Sequence, residues 1–239
     1  MIFGPNFAER LFVPELMDDP HCDAETLSRT YRDLAFINAT LSRMKALLVR
    51  YVLDDVATPG HAAHVVEVGC GGGDVLAWLA AEAQRRGLSL ALTGVDSDAR
   101  ALAAARGRLE RAPGVQVADV PLTELASLRP DYVFCNHVLH HVAPNEVGEV
   151  LVTMQKACRR RLLVNDLHRS RFAYASYTVL AAALFRKSFA YHDGRLSIRK
   201  GFLPEELRTI AAHAGLPSQT QVGTLFPGRV FLVSPGGAP

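Results

Sequence analysis

The chain has 239 residues, 49% of them hydrophobic and 21% charged, which is enough to bury one sizeable core with decorations. With 26 basic against 24 acidic residues, a general electrostatic pull toward nucleic acid is excluded. Cys22, Cys70, Cys135 and Cys158 form no C-x-x-C pair, which argues against a disulfide framework or a cysteine zinc site and for a reducing compartment.

Met1-Ile2-Phe3-Gly4-Pro5 opens no charged region followed by an apolar run. A cytoplasmic location without a membrane span is therefore expected. Residues up to about 56 read as helical. Leu34, Ile37, Leu41, Met44, Leu48 and Tyr51 recur at three- and four-residue spacing on one helix face, and Asp23 is placed to cap its start. This segment, residues 1–58, reads as a helical cap that packs on the main domain or covers a site as a lid.

From His64 the pattern alternates. Strands are predicted at His64–Val68, Leu88–Val95, Val115–Ala118, Asp131–Cys135 and Arg161–Val164, and helices at Val75–Arg86, Asp98–Arg111, Glu146–Cys158 and Pro204–Ala214. Pro113-Gly114 stops the second of these helices. Such alternation argues for βαβ units and a mostly parallel sheet. Gln219–Leu225 and Arg229–Ser234 close the chain as strands. Their Phe226-Pro227-Gly228 link is too short for a parallel crossover, so this last pair is antiparallel.

The chemistry begins at Glu67-Val68-Gly69-Cys70-Gly71-Gly72-Gly73-Asp74, between a strand and a helix. Glycines there let the backbone approach a ligand and adopt positive φ. A dinucleotide site would read G-x-G-x-x-G; here the last position is Asp74. With Glu67 and Asp74 beside the loop, a ligand carrying ammonium and sulfonium charges fits better than a pyrophosphate. Asp96 ends the second strand, where a carboxylate accepts ribose hydroxyls. Asp119 ends the third and Asn136 comes after the fourth.

With these residues in place, the chain resembles a class I S-adenosylmethionine-dependent methyltransferase over roughly residues 60 to 235. The matching parts are the E-x-G-x-G-x-G loop at Glu67 to Gly73, Asp96, Asp119, the strand Asp131 to Asn136 and the antiparallel last strand. The resemblance implies an α/β, Rossmann-like, seven-stranded sheet with helices on both faces, spanning 59–239 beside the N-terminal helical lid. It implies S-adenosyl-L-methionine as cofactor, leaving as S-adenosyl-L-homocysteine. Glu67, Gly69, Gly71 and Gly73 would line its amino-acid part, Asp96 and Ser97 its ribose, Asp119 and Val120 its adenine, and Asn136 the end nearest the acceptor. A nicotinamide-dependent oxidoreductase is the alternative of another class.

The acceptor side falls to the segment after the fourth strand. Asn136-His137-Val138-Leu139-His140-His141 is not Asn-Pro-Pro-Tyr, so the amino-methylating nucleic-acid enzymes match poorly, and the segment resembles the small-molecule branch that includes quinone-biosynthesis O-methyltransferases. His137, His140 and His141 have the spacing of one helical face, as in a metal site. The same pattern serves packing and hydrogen bonding, and no metal is expected. Asp166 and His168 come after the fifth strand, on the ligand-binding edge of a parallel sheet. The insertion at 167–203 carries Tyr174, Tyr177, Phe185, Phe189, Tyr191, His192 and Asp193, an aromatic content that suits a flat apolar acceptor, packing onto the sheet, or a dimer contact. Phe172 to Phe185, flanked by Arg169, Arg171, Arg186 and Lys187, also has the make-up of a membrane-surface helix.

The long N-terminal helices, Asn165-Asp166-Leu167-His168-Arg169 and His192-Asp193-Gly194 resemble, more loosely, methyltransferases of aromatic polyketide and phenolic-lipid pathways. The expected reaction is O-methylation of a phenolic or polyketide-like hydroxyl, with C- or N-methylation of an aromatic metabolite as the alternative. A phenol titrates near ~10, so a general base helps at neutral pH. Histidine suits that role, and His140, His141, His168 and His192 are the candidates. His137, Asp166, Tyr174, Tyr177 and Tyr191 are the candidate acceptor contacts. The expected partner is a small aromatic molecule, and the expected state a monomer or homodimer.

Overall fold

A computed structural model describes residues 6–57, 62–112 and 114–238. The expectations placed on Met1 to Pro5, on Pro113 and on a domain boundary at residue 58 lie outside the described residues. The strands are β1 (Ala63–Val68), β2 (Leu90–Val95), β3 (Val115–Ala118), β4 (Tyr132–Asn136), β5 (Arg161–Leu167), β6 (Gln221–Leu225) and β7 (Arg229–Pro235). They form one sheet in the order β3-β2-β1-β4-β5-β7-β6. All neighbours from β3 to β5 are parallel, and β7 runs antiparallel to both β5 and β6. The expected seven-stranded, mostly parallel Rossmann-like sheet is what the chain forms.

The central strands are buried on both faces, as their near-continuous apolar runs require. Side chains alternate across the sheet with period two. Val65, Tyr132, Phe134 and Leu163 join one core; Val66, Val133, Cys135, Leu162 and Val164 join the other. The first core is covered by α2 (Met44–Leu48), α4 (Asp74–Arg86) and α5 (Ala99–Leu109), with a single turn α3 (Asp54–Val56) between α2 and β1. The second is covered by α6 (Val147–Ala157) and α9 (Pro204–His213). Fully burying one of these aliphatic or aromatic side chains contributes about 1.5–3 kcal/mol.

The N-terminal helix differs from the single face read in the sequence. α1 (Ala24–Thr40) starts as expected, with the Asp23 carboxylate accepting from Thr26 N at 2.8 Å. It stops at Thr40. Ser42 is fully buried, and its Oγ accepts the N–H of Met44 at 3.1 Å to open α2; Arg43 between them has φ of 66°. Ile37, Leu34 and Leu41 therefore pack against the insertion, whereas Met44 and Leu48 enter the sheet core. Beyond α2 the chain continues through a π-helical turn, Val49–Leu53.

The insertion forms α7 (Arg171–Leu184) and α8 (Ala190–Lys200). Phe172, Val179 and Leu184 of α7 are exposed. No described helix is long and apolar enough to cross a membrane. Before α1, residues 6 to 22 form a strap tied down at several points. Arg169, itself 1% exposed, donates to Phe7 O at 2.9 Å and Ala8 O at 3.1 Å and pairs with Glu206. Arg100 holds Met17 O and Asp19 O, and the Asp193 carboxylate accepts the N–H groups of Leu16 and Met17, each at 3.0 Å.

Candidate active site

The glycine loop leaves β1 with φ of 68° at Gly69, 51° at Gly71 and 71° at Gly73, a region that favours glycine. A Cβ on Gly69 would lie 2.4 Å from Val138 Cγ2. The loop is stitched to the end of β2: Gly69 N donates to Val95 O at 2.8 Å and Gly71 N to Asp96 Oδ2 at 2.9 Å. The other Asp96 oxygen accepts Asp98 N at 3.0 Å. Gly73 does not reach the ligand side. It starts α4, where a Cβ would fall 2.9 Å from Leu109.

Above the carboxyl ends of β1, β2, β4 and β5 lies a cavity of about 390 Å³. Of the cofactor candidates, Glu67, Gly69, Gly71, Asp96, Ser97 and Asn136 line it; Gly73, Asp119 and Val120 do not. Asp119 sits exposed after β3, the strand farthest from the centre on that side. Glu67 is 2% exposed and its Oε2 has no hydrogen-bond partner among the described residues. Burial, with Asp74 and Asp96 nearby, pushes its pKa well above the ordinary value. Burial likewise raises Asp74, whose Oδ1 accepts Asn38 Nδ2 at 3.3 Å. Asn136 Oδ1 accepts Asn165 Nδ2 at 2.7 Å, and its Nδ2 donates to Asn38 Oδ1 at 3.0 Å, tying α1 to the sheet under the cavity.

Of the four candidate bases, His140 and His141 line the cavity. His140 is 2% exposed, and its Nδ1 lies 2.7 Å from Asp166 Oδ1. Burial outweighs that carboxylate and lowers the His140 pKa. Asp166, fully buried, also accepts Leu167 N at 2.7 Å and His140 N at 3.2 Å; despite burial, these contacts and the imidazole hold it below the usual carboxylate range. Asp166 thus orients His140 from beneath rather than lining the cavity, as a substrate contact would.

His168 and His192 do not line the cavity. His168 forms a bridge with Phe202 and donates its N–H to Gly228 O at 3.0 Å. The His192 side chain is 53% exposed beside Asp193. Nor do His137, His140 and His141 share a helical face: only a 3-10 turn, Leu139–His141, forms there, and His137 precedes it with φ of 60°. His137 and Tyr177 line the cavity; Tyr174 packs edge-on against Phe7 and Tyr191 lies under Arg195, away from it.

Sequence pattern alone did not point to Glu15, Asp18, Lys200 and Arg229, and these complete the polar lining or back it. Glu15 Oε1 accepts Lys200 Nζ at 2.9 Å and Ser197 Oγ at 2.7 Å, and lies 3.7 Å from His140 Nε2. Glu15, His140 and His141 bring three ligand-type atoms within 4.8 Å of one another. Lys200, 2% exposed, already supplies a cation to that carboxylate, so the group is an ion pair flanked by imidazoles. Although burial opposes it, the Asp18 carboxylate, 3.6 Å from His141 Nδ1, raises the His141 pKa; the same contact brings Asp18 down to about 2.

The family model of a methyltransferase domain matches residues 66–161, from β1 through the glycine loop and the His140 turn to the start of β5. This segment is a methyltransferase domain. The match bears out the expected enzyme class, and it contains every cofactor candidate. No curated protein matches the chain. Among solved structures, the plantazolicin methyltransferase BamL, in complex with a triazolic desmethyl analogue and S-adenosylhomocysteine, is 14% identical with a TM-score of 0.65, covering 87% of this chain and 90% of its own. The magnesium protoporphyrin IX methyltransferase of Synechocystis PCC 6803 with bound S-adenosylhomocysteine is 16% identical with a TM-score of 0.55, covering 87% of each chain. The CMeT domain of the citrinin polyketide synthase is 15% identical with a TM-score of 0.61, covering 85% of this chain and 54% of its own. At these identities the likeness is one of fold, and the methyltransferase domain here shares it.

Proposed function

We propose that the cavity binds S-adenosylmethionine with a small aromatic acceptor, and that the reaction is O-methylation of a hydroxyl deprotonated by His140. The cofactor supplies an electrophilic methyl group whose C–S bond breaks as the new C–O bond forms. Glu67, unpaired and buried, faces the ammonium end, supported by Asp74. Asp96, fixed by Gly71 and Asp98, accepts from the ribose. Strap, α1 and α8 cover the cavity as a lid and exclude water.

The observation that carries the reading is the 2.7 Å contact between His140 Nδ1 and Asp166. A buried carboxylate there holds the proton on Nδ1 and leaves the Nε2 lone pair free. Burial keeps the ring neutral near pH 7, which is the form a base requires. As the methyl group transfers, the hydroxyl proton passes to Nε2 and the resulting imidazolium pairs with Asp166.

The test is calorimetry with S-adenosylmethionine and S-adenosylhomocysteine, then methyl transfer to a panel of small phenols with products assigned by NMR. Binding lost in Asp96→Ala, and O-methyl products lost in His140→Gln, support the reading. No heat with either nucleoside removes the cofactor assignment; C- or N-methyl products remove the hydroxyl assignment.

A further inference from the structure

Arg229, the first residue of β7, is 5% exposed and lines the cavity. Its one side-chain hydrogen bond among the described residues runs from Nη1 to Gly228 O at 3.2 Å. Nε is buried without a partner, and the guanidinium belongs to no ion pair among the described residues. Asp166, the nearby carboxylate, is engaged by His140 and Leu167 N. Burying an unpaired guanidinium is costly, and such groups are normally matched by a carboxylate. Two further cavity-lining groups stand close by. His137 Nε2 is buried without a partner, and Tyr177 packs so near α8 that a Cβ on Gly194 would fall 2.2 Å from its hydroxyl.

The position decides what the charge is for. β1 and its glycine loop are separated from β7 by β4 and β5. Three strand spacings place Arg229 roughly 14 Å across the sheet from that loop. Arg229 pairs in register with Leu167, one residue beyond Asp166, which orients the base. The guanidinium thus sits on the acceptor side of His140, opposite the side where Glu67 and Asp96 await a cation and a ribose.

We propose that Arg229 is an anion-recognition residue and that the acceptor is an aromatic acid: a hydroxyl presented to His140, with a carboxylate pairing with Arg229 beside the unpartnered Nε2 of His137. This deepens the methyl-transfer reading and rests on it for the position of the hydroxyl. The planar guanidinium fork matches a carboxylate in two parallel hydrogen bonds, which a neutral amide of the same shape cannot reproduce.

The experiment is calorimetry on the full chain saturated with S-adenosylhomocysteine, titrated with the three hydroxybenzoates and the three matching hydroxybenzamides. At least one acid is expected to bind roughly tenfold or more tightly than its amide. Arg229→Met should erase that preference and leave S-adenosylhomocysteine affinity unchanged. Thermal melting of Arg229→Met without ligand should match or exceed that of the wild type, because an unpaired buried charge has gone; should that variant fail to fold, Arg229→Gln carries the same comparison.

Equal binding of acid and amide, absence of acid binding, a preference that survives in Arg229→Met, or a loss of nucleoside affinity in that variant each overturns the proposal. Repeating the titration without nucleoside separates the two readings. An acid preference that persists in a protein blind to S-adenosylhomocysteine leaves the anion site standing and removes methyl transfer.

Discussion

At the scale of the residue, the site is organised by how burial sets protonation. His140 and Asp166 are both buried, yet the carboxylate has three donors and the imidazole one strong acceptor. The pair therefore rests as neutral imidazole over ionised carboxylate. His140→Gln keeps the shape and removes the proposed base. It should lower kcat by about 10²–10⁴-fold with nucleoside affinity unchanged. The direction of the His140 pKa gives a second readout. Because burial lowers it below the free-imidazole value, the acid limb of kcat/KM against pH should fall below ~6.5, and Asp166→Asn should shift that limb further down while lowering kcat. An unshifted acid limb in Asp166→Asn would deny the orienting role. Gly69 is constrained by its positive φ and by the close approach of Val138. Gly69→Ala meets a left-handed cost of about 1–2 kcal/mol and the contact with Val138, so melting temperature and nucleoside affinity should fall together.

At the scale of the element, the parts that announced themselves in the sequence are those whose signal is local. The strands β1, β2, β4 and β5 are largely buried apolar runs, and the loop after β1 is written in consecutive residues. α1 and α2 show the opposite case. Leu34 to Tyr51 keep a helical period, yet the chain breaks at Ser42, where Asn165 from far along the sequence takes hold of the backbone: its Nδ2 donates to Ser42 O at 2.7 Å. Tertiary contact overrode period. Arg229 and Glu15 had no local signal either, since Arg229 acquires its meaning from its place beside β5 and Glu15 from its partners on α8. The same holds for the strap, whose course depends on Asp193. That carboxylate takes two backbone N–H groups, so Asp193→Ala leaves both unsatisfied, at about 1–3 kcal/mol for each. Trypsin should then cut the strap several-fold faster, and acceptor KM should rise more than kcat falls. A strap as resistant as the wild type's would show that its other ties, through Arg10, Glu15, Arg100 and Arg169, hold it without Asp193.

At the scale of the whole molecule, stability and function pull against each other around Glu67. Its pKa in the fold is raised by burial and by Asp74 and Asp96, while in the unfolded chain it titrates near ~4.3. The raised direction fixes the sign. The folded protein holds the proton more tightly, so the contribution is fully present below the unfolded pKa and is lost as pH rises toward the folded pKa. Glu67→Gln removes the titration and keeps the volume. Melting temperatures of the ligand-free variant and wild type should therefore coincide near pH 4 and diverge as pH rises, with the variant the more stable at pH 7 and above. Adding S-adenosylmethionine should reverse the order, because its ammonium supplies the charge that the carboxylate lacks and the amide cannot use it. A variant no more stable than wild type at pH 8, or stabilised by the nucleoside as much as wild type is, would show that the acid under the glycine loop is held for packing and not for the cation.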